Sequence, residues 1–339
     1  MIVSGSQDNT VRIWRQPKKL FTFEGVSNIV LILEVLKFLS PEEMIGIARV
    51  NKQFYEATFE ILKPAFRQTK VLEGHTDCVN SVAVSLEKGI LVSGSHDSSI
   101  RVWSLATAQV TQVLQEHRNW VLSVAISSDG EWLVSGNIDN KLRVWSLASG
   151  KTTLVLKGHS SFVRSVAISS KDQFIVSGSD DETIRVWSLT TGKKIRVLKG
   201  HSSWVNSVAI SKTDQYIVSG SMDRTARVWS LTSGKKIRVL QGHDSAVFSV
   251  AISNDEQFVV SGSDDKTIRV WSLTCGETTQ VLRGHTGGVL SVKLSSDGRD
   301  LVSGGDCGDK SVRVWDLSTG EQTQELIGHT DSVCSVNLI

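Results

Sequence analysis

Proline, tyrosine and methionine are nearly missing from these 339 residues, which hold three Pro, two Tyr and three Met. So little proline leaves scant room for rigid linkers, and the 27 glycines suit tight turns between short elements instead. Charge of one sign is missing too. Lys and Arg number 37 against 35 Asp and Glu, a formal +2, too balanced for composition to point to a nucleic-acid surface. The opening "MIVSGSQDNTVRIW" has no basic stretch followed by an apolar run, so it does not read as a signal peptide. The most apolar run, Ile29 to Leu33, is cut by Glu34 and Lys37, well short of the roughly 18 residues a spanning helix needs. Four cysteines (Cys78, Cys275, Cys307, Cys334) form no C-x-x-C pair, so spacing offers neither a zinc motif nor a disulfide framework. These absences predict a soluble protein of the cytoplasm or nucleus, with no metal, no cofactor, no membrane partner and no nucleic acid.

What is abundant is repetition. His75, His117, His159, His201, His243 and His285 fall 42 residues apart, and His329 follows after 44. Trp103, Trp145, Trp187, Trp229 and Trp271 keep the same 42-residue step, and Trp315 follows after 44. Each unit carries runs like "VRSVAIS", "FIVSGS", "TIRVWS" and "IRVLKG", four short β-branched strands cut by Gly, Asp and Ser turns. The tail "GHTDSVCSVNLI" is the front of such a unit and the opening stretch is the back of one. The two ends should therefore pair as neighbouring strands, closing the array and leaving no sheet edge open.

The period, the Gly-His opening and the closing Trp resemble WD repeats, the blades of a β-propeller. The Trp-Asp pair itself stands only at Trp315-Asp316, the other complete units reading Trp-Ser, and Glu116 replaces the Gly before the His. The expected fold is mainly β: a seven-bladed WD-repeat propeller with residues 1–14 as two inner strands of the closing blade, residues 69–339 as the remaining blades, and residues 328–339 completing the closing one.

In each unit a Ser lies 18 residues after the His, an Asp 22 after and a Trp 28 after, as in His159, Ser177, Asp181 and Trp187, except that two extra residues in the sixth unit shift the last two members to Asp309 and Trp315. His329, Ser4, Asp8 and Trp14 complete the ring. Seven Ser/His/Asp sets in one small protein read as repeated buried networks, as the WD family implies, and not as hydrolase sites. The chain is not expected to be an enzyme.

Near-identical repeats make the differing positions informative. By the resemblance, three positions per blade line the propeller's entrance. The third after the His reads Cys78, Trp120, Phe162, Trp204, Ala246, Gly288 and Ser332. The fifth after it reads Asn80, Leu122, Arg164, Asn206, Phe248, Leu290 and Cys334. The residue before the Asp reads His96, Ile138, Asp180, Met222, Asp264 and Gly308, with Gln7 in the closing blade. Trp120, Phe162 and Trp204, with Leu122, Ile138, Arg164, Met222 and Phe248, predict an aromatic and aliphatic face for a protein or peptide target. A single Arg argues against phosphate recognition.

Residues 15–68 break the pattern. Ser27 and Asn28 can cap a helix to about Leu39, Ser40-Pro41-Glu42-Glu43 is a capping box with Pro at the first helical position, and Asn51 can cap a third helix ending before Pro64. The first of these is apolar nearly all round and needs cover on both sides. "VLKFLSPEEMIGIARVNKQFYEAT" resembles an F-box, with Ser27-Asn28 where the motif's usual Leu-Pro would stand. The resemblance implies docking to the adaptor of a cullin–RING ubiquitin ligase through Ile29, Ile32, Leu36, Leu39, Pro41 and Val50, with the propeller holding a target protein. A scaffold in a ribosome-biogenesis, signalling or trafficking assembly is the alternative.

Overall fold

The computed structural model describes residues 1–16 and 66–338. The chain divides into two units, Met1–Trp14 with Gln68–Ile339, and Arg15–Arg67. The three helices expected within residues 15–68, and with them Ile29, Ile32, Leu36, Leu39, Pro41 and Val50, lie outside the described residues.

The first unit is built of seven four-stranded antiparallel sheets. Six are consecutive in sequence; the first comprises β4 (Val79–Ser85), β5 (Ile90–Ser95), β6 (Ile100–Ser104) and β7 (Val110–Leu114). The seventh joins both ends of the chain: β28 (Val333–Leu338) pairs with β1 (Ile2–Ser6), followed by β2 (Val11–Arg15) and β3 (Arg67–Leu72). Ile2 faces Leu338 and Ser4 faces Val336 in that ladder. This is the closure expected from the repeat fragments at the two ends.

The core lies between the sheets. In one cluster Val134, Leu142, Val144 and Leu156 of the second sheet pack on Val163, Val166, Ile175, Trp187 and Leu189 of the third. Two further devices repeat at all seven joints. The Gly of each Ser-Gly motif sits where a Cβ would meet the next sheet's Val Cγ1 at 2.7–2.8 Å, as for Gly178 against Val205 and Gly5 against Val79; only glycine allows that approach. In addition, an inner-strand Ser Oγ accepts the amide N–H of a Val one sheet along. Ser165 takes Val208 at 3.0 Å, and Ser335 takes Val82 at 3.1 Å across the closing joint.

The seven inner strands enclose a central channel of about 570 Å³. Ala83, Ala125, Ala167, Ala209 and Ala251 line it at equivalent positions, but the last two sheets place Lys293 and Asn337 there. Water reaches Lys293, yet the surrounding protein strips enough solvent to lower its ammonium pKa. Among the described residues no helix is long and apolar enough to cross a membrane.

Candidate protein-interaction face

The serine, histidine and aspartate sets form as buried struts. His159 Nε2 and Trp187 Nε1–H both meet Ser177 Oγ, at 2.7 and 2.9 Å. Asp181 accepts from His159 Nδ1 at 2.8 Å and from the amide and hydroxyl of Thr183. His329, Ser4, Asp8 and Trp14 reproduce the set across the chain ends, with His329 at 2.8 Å from both Ser4 and Asp8. Ser177 is fully buried, and its oxygen is saturated by an indole donor on one side and an imidazole on the other. A hydroxyl so enclosed cannot meet a substrate, so this geometry braces loop against strand. Burial opposes ionisation of Asp8 and Asp181, but hydrogen bonds from the partner His and Thr outweigh it and hold both well below the ordinary carboxylate range.

The second sheet keeps the spacing but not the hydrogen bonds. His117 still meets Ser135 at 2.8 Å, but its Nδ1 faces Asn137 at 2.7 Å and Arg143 at 3.0 Å, while Asp139 turns to Arg143. The reading of a complete set in every unit is therefore corrected here. A larger amide at 137, where the other sheets carry Ser or Gly, takes the carboxylate's place. Burial, helped by the Arg143 charge, pushes the His117 pKa down to about 3.

Above these sets the sheets repeat a second pattern. The carbonyl of each residue three after the His accepts the amide N–H of the residue that follows the second strand: Cys78 from His96 (2.9 Å), Trp120 from Ile138 (3.3 Å), Phe162 from Asp180 (3.0 Å), Trp204 from Met222 (2.9 Å), Ala246 from Asp264 (2.9 Å), Ser332 from Gln7 (3.0 Å). In the sixth sheet the partner of Gly288 is Asp306, not Gly308 as counting back from Asp309 suggested. Cys307 and Gly308 are the two extra residues of that turn, and Asp306 is held by the amides of Gly288 and Gly308.

The residue five after the His is a β-bulge in every sheet. The ladder skips Arg164 between Val163 and Ser165, Leu122 between Val121 and Ser123, and Phe248 between Val247 and Ser249. A bulge re-aims its side chain relative to the ladder, and sequence alone gave no sign that this position, one per sheet, was the irregular one.

Trp120, Phe162 and Trp204 are 46%, 41% and 44% exposed, the level of surface residues despite their size. Leu122, Ile138, Arg164, Met222 and Phe248 are half-buried around them. Each tryptophan is braced by the preceding sheet. The His96 ring stacks on Trp120 with centroids 4.1 Å apart, and the Arg164 guanidinium lies over the Trp204 ring at 4.7 Å. Arg164 also forms a two-point ion pair with Asp180, so its charge is already matched within the ring. Trp120, Phe162 and Trp204 thus stand at one register position on three consecutive sheets, a ledge of rigid apolar area.

Seven radially repeated antiparallel sheets with a side-chain-built entrance define a β-propeller of the kind that serves as a platform for other proteins. The chain belongs to the WD-domain, G-beta repeat family, whose model matches residues 1–15, 66–104, 108–146, 150–188, 192–230, 234–272 and 276–316. Over 121 residues, 32% of this chain and 18% of the relative, it is 33% identical to Cell division control protein 4 of Candida albicans. Over 108 residues, 32% of this chain and 11% of the relative, it is 35% identical to WD repeat-containing protein pop2 of Schizosaccharomyces pombe. Over 110 residues, 31% of this chain and 25% of the relative, it is 28% identical to a Ribosome biogenesis protein WDR12 homolog of Oryza sativa subsp. japonica. The matched stretches span a quarter or less of each of these relatives.

Proposed function

We propose that the protein is the target-recognition subunit of an F-box type, cullin–RING ubiquitin ligase. The propeller entrance holds a protein target on Trp120, Phe162 and Trp204, and the segment within residues 15–68 docks the ligase adaptor through Ile29, Ile32, Leu36, Leu39, Pro41 and Val50. The observation that carries the recognition half is the exposure of three large aromatics at equivalent positions on adjacent sheets, since rigid aromatic anchors dominate binding energy at protein interfaces. The pairing of Arg164 with Asp180 favours an apolar target motif over a phosphorylated one, because a free guanidinium fork is what phosphate selects. The ligase half rests on the Phe-Leu-Ser-Pro pattern of the insert. In this role the chain supplies proximity: partner enzymes bring charged ubiquitin to a target lysine at high effective concentration.

Calorimetric titration of the full-length protein with the cullin–RING adaptor, beside an Ile32→Asp, Leu36→Asp variant, tests the proposal. Binding that is lost in the variant supports it. A folded protein that does not bind the adaptor refutes the ligase half and leaves a second reading, a scaffold in another assembly such as ribosome biogenesis, which the likeness to the rice relative supports.

A further inference from the structure

Spacing in the chain shows no metal motif, but folding brings three donors of different kinds together at the entrance. Asp77 and Cys78 lie on the loop before β4, and His96 follows β5. A carboxylate oxygen, a thiol sulfur and an imidazole nitrogen from these residues all lie within 4.8 Å of one another. The two loops are pinned by the His96 amide, which donates to the Cys78 carbonyl at 2.9 Å. Asp77 Oδ1 accepts the Cys78 amide at 2.7 Å, which sets the carboxylate beside the thiol. The face of the His96 ring is covered by Trp120, and among the described residues no hydrogen bond reaches its ring nitrogens. Each donor belongs to a different structural job from the buried set of the same sheet, where His75 meets Ser93 and Asp97.

We propose that Asp77, Cys78 and His96 form a binding site for a divalent transition-metal ion of borderline softness, with zinc the expected occupant. Thiolate, imidazole and carboxylate are the donors such an ion takes, at about 2.0–2.3 Å each. A tetrahedral ion at those lengths needs its ligand atoms roughly 3.3–3.7 Å apart, so side-chain rotation of about an ångström completes the cage. Binding breaks the Cys78 S–H bond, forms the sulfur–metal bond and releases the proton to solvent. Three protein donors leave the fourth position for water or for a donor supplied by a bound partner. An ion held there fixes the ring that supports Trp120, coupling metal loading to the shape of the aromatic ledge. The site stands apart from the ligase proposal and does not depend on it.

The test is optical titration of the full-length protein with Co²⁺, followed by competition with Zn²⁺. The expected result is one equivalent bound, with a sulfur-to-cobalt charge-transfer band that Zn²⁺ displaces. Cys78→Ser should abolish the band, and His96→Gln should weaken binding at least about tenfold, while circular dichroism stays that of the wild type. Retention of the band in Cys334→Ser supports the three-donor site. Absence of the band in wild type, its survival in Cys78→Ser, an unchanged affinity in His96→Gln, or a band that follows Cys275, Cys307 or Cys334 would overturn the assignment.

Discussion

Replacing Asp181 by Ala and, separately, Asp139 by Ala probes whether the carboxylates at equivalent positions do equivalent work. Asp181 accepts four hydrogen bonds, from His159 Nδ1, the Ser160 amide, and the Thr183 amide and hydroxyl. The His159 side chain is fully buried, so truncating Asp181 leaves its ring nitrogen without a partner or water. One stranded buried donor costs about 1–3 kcal/mol; with Thr183 partly stranded and Ser160 re-solvated, the total comes to about 3 kcal/mol. Asp139 instead makes a partly buried pair with Arg143 at 3.0 Å and caps the Lys141 amide, while His117 keeps Asn137. Its loss should cost about 1 kcal/mol, as for a partly solvated ion pair. For a ring of this size, 3 kcal/mol lowers the melting temperature by roughly 5 °C and 1 kcal/mol by less than half of that. Urea unfolding of both variants with a common m-value gives the comparison directly. Equal costs, within about 0.5 kcal/mol, would refute the claim that the second sheet has rerouted its network.

Other perturbations have definite signs. Gly178→Ala drives a Cβ into Val205 and should cost about 2 kcal/mol, with much of it restored in the Gly178→Ala, Val205→Ala double variant; a mild single variant would show that the sheets can part at no cost. Burial lowers the pKa of His159, His201 and His329 despite their Asp partners, so below about pH 6.5 the unfolded chain binds more protons and stability falls as pH drops. A further loss follows below about pH 4, where aspartates of the unfolded chain take up protons while Asp8 and Asp181 of the folded ring stay ionised; denaturation midpoints measured from pH 8 to 3 should decline in that order, and a rise on acidification contradicts it. Lys293→Ala restores the residue found at five equivalent channel positions and should stabilise the ring by up to about 1 kcal/mol, channel water screening most of the penalty. Trp120→Ala with Trp204→Ala should leave stability within about 1 kcal/mol and weaken capture of a cognate target by about thirtyfold or more.

Blade number, strand order and closure were legible because a step of 42 residues, 44 in the sixth unit, carries a His, a Ser and a Trp whose burial the fold demands seven times over. The aromatic ledge was legible for the opposite reason: Trp120, Phe162 and Trp204 vary where the framework does not. What escaped the reading were places where one substitution reroutes its neighbours. Asn137 displaces Asp139 from His117, and the Cys307–Gly308 insertion moves Asp306 into the position counted for Gly308. The first is an effect of side-chain reach, which spacing does not encode; in the second the 44-residue step reveals two extra residues but not where in the turn they fall. Lys293 and Asn337 did leave a trace, in "SVKLS" and "SVNLI" against the recurring "SVAIS", but only the geometry of the inner strands makes that trace a channel position. Cys78 and His96 belong to different entrance series, so no linear motif joins them. The helical pattern of residues 15–68 lies outside the described residues.

The ladder between β1 and β28 has a kinetic corollary. During synthesis β1 is made long before its partner, and six full sheets must emerge while its hydrogen-bonding edge stays unsatisfied. Closing so long a loop is entropically slow, and a waiting strand edge is the element most open to the wrong partner. With near-identical inner strands in six other sheets, one error open to β1 is to accept β24 (Val289–Leu294) in place of β28, sealing a six-sheet ring and leaving β25 to β28 stranded. Fidelity of assembly in this protein is therefore decided at the last strand to arrive.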